Sequence, residues 1–478
     1  MSYLLKGGSI ATFVDGSSQP KCYTADVLVE DTKITQIAPD IVAGPNVEVI
    51  DCQGKWITPG MVDTHRHLFM TVLRGEQGDW LLSEYIVKMT WTIQHALTVD
   101  EVRIGQLAGC LDALQCGVTT VLDHFHSATT AEHAEASLAA TIQSGARVVW
   151  CPARQSGATQ LFPTLEYGDE EETFKWQMAK LKEWGTKDNG NLTPDGRVTL
   201  GLSYDLMGIG PMSVHQEVIN YAREVGCKII TAHAVKQPKI IPFRDGGLLG
   251  PDVIFSHCNT LFDHTDPDDE HWAALKDNDV AIASTPVDEL GMAHGNPIAF
   301  EAVRRGVRCG LGADCTSVNG GDIFTQMRCV LQFVRARRHE HVERNKHTLP
   351  QYNNETCADA FRLATLGGAE ALNMSNIIGS IEVGKKADIV IFDTDSPNLA
   401  GIDDPILGVT FHATNADVEL VMVNGEIVKR NGRLTKVLWG PVARELKQRA
   451  NEVRERFPRD FLEARWNKYY QANGAPMF

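Results

Sequence analysis

Residues 56–67 read WITPGMVDTHRH, an apolar run that closes on His65 and His67. On a strand, positions two apart point to the same face, so the two imidazoles stand side by side. Seven further apolar runs follow: GVTTVLDHF (117–125), ARVVWCPA (146–153), RVTLGLSYD (197–205), CKIITAH (227–233), VIFSHC (253–258), VAIAST (280–285) and VRCGLGAD (307–314). Helical patterns such as VDEVRIGQLAGCLDALQCG (99–117) and AEHAEASLAATIQSG (131–145) lie between them. Strands that are apolar throughout and alternate with helices are parallel and covered on both faces. Eight such units predict an α/β fold, a (β/α)8 barrel over residues 57–375. A doubly wound open sheet is the alternative. It would carry a glycine-rich phosphate loop, and neither GxGxxG after a strand nor GxxxxGK[ST] occurs.

The chain ends have a different texture. Short alternating segments such as ADVLVEDTKITQIA (25–38) and VEVIDCQGKWI (47–57) return as ADIVIFD (387–393) and DVELVMVNGEIVKRNGRL (417–434). Alternation with period two marks half-buried antiparallel strands. Asn424-Gly425 between two such runs marks a hairpin turn. Residues 1–56 and 376–436 are therefore expected to build one small β-sandwich, discontinuous in sequence. Residues 437–478, charged and aromatic, predict a C-terminal helical extension.

Composition narrows the function. With 45 Lys+Arg against 61 Asp+Glu the net charge is −16, and such a surface repels nucleic-acid phosphates and anionic lipid. No nucleic-acid or membrane partner is expected, only a small-molecule substrate. The opening MSYLLKGGSIATFVDG lacks the pattern of a secretory signal, and no apolar run approaches a membrane span, which predicts a cytoplasmic protein. The 11 cysteines are scattered without a CxxC pair, which excludes a zinc ribbon or a dithiol redox motif, and Cys110, Cys116, Cys227, Cys309 and Cys329, in apolar segments, read as reduced core thiols.

The chemistry gathers at strand ends. His233 closes the fifth run, His257 lies at the end of the sixth and Asp314 closes the eighth. In a barrel these positions share the rim that carries active sites. Histidine is the commonest metal ligand, and a buried polar group needs a partner or a metal. His126, at the end of the second run, is a candidate substrate contact on the same rim. Trp91, with Trp80 and Tyr85, lies in the segment after the paired histidines, where aromatic walls suit a flat ring.

The motifs PGMVDTHRH (59–67), TAHAVK (231–236), SHCNTL (256–261) and LGADCTS (311–317), with IGSIEVGKKADIVIFD (378–393) and ELVMVNGEIVKRNGRL (419–434), resemble the amidohydrolase superfamily in its cytosine deaminase and triazine hydrolase branch. The resemblance covers residues 1–435. It implies one divalent metal, zinc with Fe2+ or Mn2+ as alternatives, held by His65, His67, His233 and Asp314. It implies Asp314 as general base, His257 facing the activated water and the substrate, and a homo-oligomer. The bridging lysine of binuclear members has no counterpart in RVTLGLSYD, so a single metal is implied. A bound zinc lowers the pKa of its water toward about 7, and the resulting hydroxide attacks an electrophilic carbon.

One position departs from the branch. Its deaminases carry glutamate three residues after the fifth-strand histidine, and here that residue is Lys236. Lys236 is expected either to act as an acid, its pKa lowered by burial and the nearby cation, or to fix a carbonyl or anionic group of the substrate. Glu289, in STPVDELGMAHGNP (284–297), is the candidate replacement acid/base or substrate anchor. The expected reaction is hydrolytic deamination of an aminated heterocycle. Amide, lactam or carbamate hydrolysis, or a lyase or hydratase step on the same metal, are the alternatives.

Overall fold

The computed structural model describes residues 1–14, 16–155, 158–160, 166–167, 170–236 and 239–473. Its centre is two parallel sheets. In one, Val198–Leu200, Arg147–Pro152, Val118–Phe125 and Met61–Arg66 lie in that order. In the other, Leu202–Ser203, Ile230–His233, Val253–Ser256, Ala281–Ser284 and Arg308–Leu311 follow one another.

The two sheets meet at both edges. At one seam Val198–Leu200 and Leu202–Ser203 are separated by Gly201 alone. The Gly201 N–H donates to the Trp150 carbonyl (2.9 Å) and the Leu202 N–H to the Ile229 carbonyl (2.9 Å), so one run of chain serves both sheets. A Cβ at Gly201 would lie 2.4 Å from Cys151 Sγ, so this seam requires glycine. At the other seam Arg66 pairs with Asp314 in parallel. There the Asp314 N–H donates to the His65 carbonyl (3.0 Å) and the His67 N–H to the Asp314 carbonyl (3.1 Å).

The apolar runs explain this placement. Val62, Leu122, Val149, Ile229, Ile254 and Ala281 pack into one core with Leu372 and Ile378. Their strand neighbours Met61, Val121, Val148, Ile230, Val253 and Ile282 pack into another with the surrounding helices. Strands buried on both faces need apolar residues at every position, which is the pattern read from the sequence. Helices Val99–Gln115, Ala131–Ser144, Glu170–Thr186, Met212–Glu224, Ile240–Asp245, Glu270–Asp277, Ala299–Arg304 and Cys357–Ala364 follow the successive strands.

Both chain ends build one nine-stranded sheet, hydrogen-bonded throughout. It takes Trp56–Pro59 as well as the strands before residue 56. Trp56–Pro59 pairs with Ser2–Thr12 on one side and Ile389–Phe392 on the other, then passes through Gly60 into Met61–Arg66. The hairpin at Asn424-Gly425 is present, with φ of +53° and +78°, the left-handed pair that this two-residue turn needs. Arg147 and Asp388, both buried, join the sheet to the third parallel strand through two hydrogen bonds of 2.9 Å.

The C-terminal segment forms helices Trp439–Arg456 and Arg459–Asn473. They dock against residues 76–103 through Arg454–Glu76, Arg456–Glu101 and Arg449–Asp100 ion pairs. Lys88, fully buried, bonds both Glu84 and the C-terminal Glu463. Among the described residues no helix is long and apolar enough to cross a membrane. All 11 cysteines are free.

Candidate active site

The predicted ligands gather at the C-terminal ends of the parallel strands, with His65, His67 and His233 in one cluster and Asp314 against His65 and His67. Asp314 Oδ1 lies 3.3 Å from His65 Nε2 and 3.2 Å from His67 Nε2. One ring nitrogen each of His65, His67 and His233 falls within 4.8 Å of the others. The other ring nitrogen is already engaged. His67 Nδ1 donates to the His124 carbonyl at 2.7 Å, and His233 Nδ1 donates to Asp205 Oδ2 at 2.8 Å. His65 Nδ1 lies 2.8 Å from Ser256 Oγ. Outer partners of this kind fix the tautomer and leave Nε2 bare toward the centre. His65 Nε2 is buried and finds no hydrogen-bond partner among the described residues. Such an atom, facing two further imidazoles and a carboxylate, fits a divalent cation with nitrogen and oxygen ligands.

The electrostatics agree. Burial pushes the His65 and His233 imidazoles down to about 3, so both are neutral and able to ligate. Burial alone would raise Asp314, but His65, His67 and His257 hold its carboxyl well below the usual range. His257 behaves oppositely. Burial pulls it down, and the Glu289 and Asp314 carboxylates outweigh that, so it titrates above an ordinary histidine. Its Nε2 lies 3.6 Å from Asp314 Oδ2.

Local backbone aims these groups. His257 (φ +76°) and Asp314 (φ +54°) both take the left-handed conformation that non-glycine residues seldom adopt. Each follows the end of its strand ladder, and the turn swings the side chain inward. Strain of this kind concentrates at functional sites. Gly312 sits directly against the first strand. A Cβ there would lie 2.6 Å from the His65 carbonyl oxygen and 2.9 Å from its nitrogen.

A cavity of about 780 Å³ opens above this cluster. Leu82, Ile86, Trp91, Leu206, Ile209 and Val214 form apolar wall, and His126, Asp205, His257 and Asp314 also line it. Trp91 and His126 both line it. The His126 ring stands 4.1 Å from that of His67, edge to face. Tyr85 lines the cavity too, whereas Trp80 packs against Lys88 outside it.

Two expectations are corrected. Lys236 is exposed, with φ +55°, and stands outside the cavity lining. The turn leaves its side chain exposed. The lysine at the site is Lys239, whose Nζ lies 3.3 Å from Asp205 Oδ1 and 3.1 Å from the Asp205 carbonyl. Glu289 is fully buried but lies behind His257 and away from the cavity. It accepts from the Thr285 N–H (2.8 Å) and Ser284 Oγ (3.0 Å), and stands 3.6 Å from His257 Nδ1. The helix Pro286–Gly291 turns it back over the end of the seventh strand. Its carboxylate favours the protonated form of His257 and stands outside the cavity lining.

Sequence reading missed Asp205, His124, Gln94, Lys239 and His294. Asp205 closes RVTLGLSYD just as Asp314 closes the eighth run, so the same strand-end rule would have found it. Asp205 joins His233 to His124, whose Nε2 lies 3.0 Å from Asp205 Oδ2. Against the cost of burial, His233, Lys239 and His124 hold Asp205 well below the usual carboxylate range.

Histidines and a carboxylate gathered at the mouth of a parallel α/β core make a site suited to a divalent metal. The profile of the amidohydrolase family matches residues 56–428, and the chain belongs to this family. It is a hydrolase acting on carbon–nitrogen bonds. The 5'-deoxyadenosine deaminase of Methanosarcina mazei is 28% identical over 436 residues, covering 89% of this chain and 93% of the relative. A 5-methylthioadenosine/S-adenosylhomocysteine deaminase of Nitratidesulfovibrio vulgaris is 30% identical over 417 residues, 84% of this chain and 86% of the relative. Among solved structures, an adenosine deaminase from Xanthomonas campestris with bound zinc superposes with a TM-score of 0.78 at 20% identity, covering 95% and 98% of the two chains. A zinc complex of atrazine chlorohydrolase from Arthrobacter aurescens gives 0.78 at 20% identity, covering 94% and 100%.

Proposed function

We propose that the chain hydrolytically deaminates an aminated nitrogen heterocycle of purine-nucleoside size, using one zinc ion held by His65, His67, His233 and Asp314 within a (β/α)8 barrel that carries a β-sandwich. The observation that carries the reading is the convergence of three histidine Nε2 atoms and the Asp314 carboxylate, with the other ring nitrogens already engaged, beneath a cavity of about 780 Å³. The names of the sequence relatives support the substrate class, and the zinc in the solved structures supports the metal. Zinc, when bound, supplies Lewis acidity and makes water a competent nucleophile near neutral pH.

The chain's own residues do the rest. Asp314 is kept ionised by the imidazoles around it, so it accepts the proton of the attacking water. Oxygen adds to the ring carbon bearing the amine, and the amine leaves as ammonia after taking up a proton. The Glu289 and Asp314 carboxylates favour the protonated form of His257, whose N–H on the cavity side stabilises negative charge that develops on the heterocycle. Thr285 Oγ1, 3.0 Å from His257 Nδ1 and 3.3 Å from Asp314 Oδ2, holds these two groups in register. Apolar wall residues strip water from the substrate and strengthen every polar contact inside.

Ammonia release from the zinc-loaded protein across adenosine-type nucleosides, pterins and triazines tests the reading. Release from at least one nucleoside is expected. No release from any of them, with turnover of lactams, amides or carbamates instead, refutes it.

A further inference from the structure

His294 is 4% exposed and lines the cavity, yet neither its Nδ1 nor its Nε2 has a hydrogen-bond partner among the described residues. The neighbouring histidines differ. His65, His67, His124, His233 and His257 each engage a hydroxyl, carbonyl or carboxylate at 3.0 Å or less. A buried polar atom left unpaired is costly, and native interiors rarely keep one without a partner, a water or a ligand. Here both nitrogens of one ring are in that state, and they belong to the wall of the cavity.

The ring is also precisely presented. It meets the His257 ring edge to face, with centroids 4.7 Å apart and an interplanar angle of 83°. The backbone on each side of it is left-handed, with Ala293 at φ +59° and Gly295 at φ +140°. A Cβ at residue 295 would lie 2.7 Å from Asn259 Cβ, so the loop is pressed onto the segment after His257. Glu289 from the start of the same loop anchors His257 from behind, while His294 from its end faces the cavity. Burial, with His257 alongside, pushes His294 down to about 3. A neutral imidazole offers one N–H donor and one bare acceptor.

We propose that His294 is a substrate-binding residue that hydrogen-bonds, through a ring nitrogen, a polar edge of the heterocycle held against His257. The inference rests on the deaminase reading and extends it. The substrate ring must turn a nitrogen, or an amine or carbonyl attached to it, toward this wall. A purely hydrocarbon edge would leave both imidazole nitrogens desolvated and unpaired.

The test compares zinc-loaded wild type with His294→Ala, His294→Phe, His294→Asn and His294→Gln on the best deaminated substrate. Zinc content and circular dichroism are measured for each. His294→Phe keeps the ring's volume, so the comparison stands if His294→Ala fails to fold. Expected is a loss of about ten- to hundredfold in kcat/KM for Ala and Phe, the size of one lost hydrogen bond to a polar substrate. Asn or Gln should recover at least part of it, with zinc stoichiometry unchanged. Phe retaining activity within about threefold overturns the proposal, as does an equal loss in all four variants, which would mark a packing role. Ammonia from no compound with the wild type overturns the deaminase reading as well. Ammonia from the wild type and undiminished activity in His294→Phe overturns this inference alone.

Discussion

Replacing Asp205 with alanine should weaken metal binding without touching a ligand. Asp205 Oδ2 receives His233 Nδ1 at 2.8 Å and lies 3.0 Å from His124 Nε2, and Oδ1 receives the His233 N–H at 2.8 Å and Lys239 Nζ at 3.3 Å. The bond that bears on the metal is the one from Nδ1, because it holds the tautomer whose Nε2 lone pair faces the centre. A hydrogen bond to a charged partner contributes about 1.5–3 kcal/mol. Loss of such an outer partner weakens metal affinity about 10–100-fold, or about 1.4–2.8 kcal/mol, so the two estimates agree. Asp205→Asn keeps the shape and one acceptor oxygen but loses the charge, and should fall between wild type and alanine. Competition against a zinc chelator, followed by metal analysis, reads the affinity directly. An Asp205→Ala protein that binds zinc within about twofold of wild type, with an unchanged circular dichroism spectrum, would refute the argument. It would show that the strand alone orients His233.

Metal retention should be insensitive to mild acid. The folded pKa of His65 and His233 is depressed to about 3, so protons displace metal from them only when pH falls far below the ordinary histidine value. Zinc remaining after dialysis should stay constant from about pH 8 to about pH 5, whereas a loss centred near the unperturbed value of about 6.5 contradicts the buried-ligand description. Arg147→Ala should destabilise the fold by about 3–5 kcal/mol in denaturant titrations, because Asp388 is left as an uncompensated buried charge. A change under about 1 kcal/mol would mean that water reaches Asp388. Lys88→Met should raise KM about fivefold, equivalent to about 1 kcal/mol, by loosening the Ile86–Ile93 wall from the C-terminal helix. If kcat falls instead and KM holds, the wall does more than bind.

How much of this was legible depended on the range of the physics involved. The alternation of apolar runs with helical patterns follows from which faces are buried, and burial is written residue by residue. That made the eight parallel strands and the sheet shared by both chain ends readable. His65, His67, His233 and Asp314 were readable for a related reason, since a polar residue closing an apolar strand must lie at its end. Orientation beyond the strand end is another matter. Lys236 and Lys239 are three residues apart in one loop, and a left-handed turn at Lys236 exposes the first while the second enters the cavity. Glu289 and His294 share a loop as well, and a short helix folds the carboxylate behind His257 while the imidazole faces the cavity. Nothing local distinguishes them. Composition and periodicity settled which strands form and where their polar ends gather. Packing between segments distant in sequence decided which side chains after those ends look inward, because backbone turns are stabilised by contacts that no short window of residues contains.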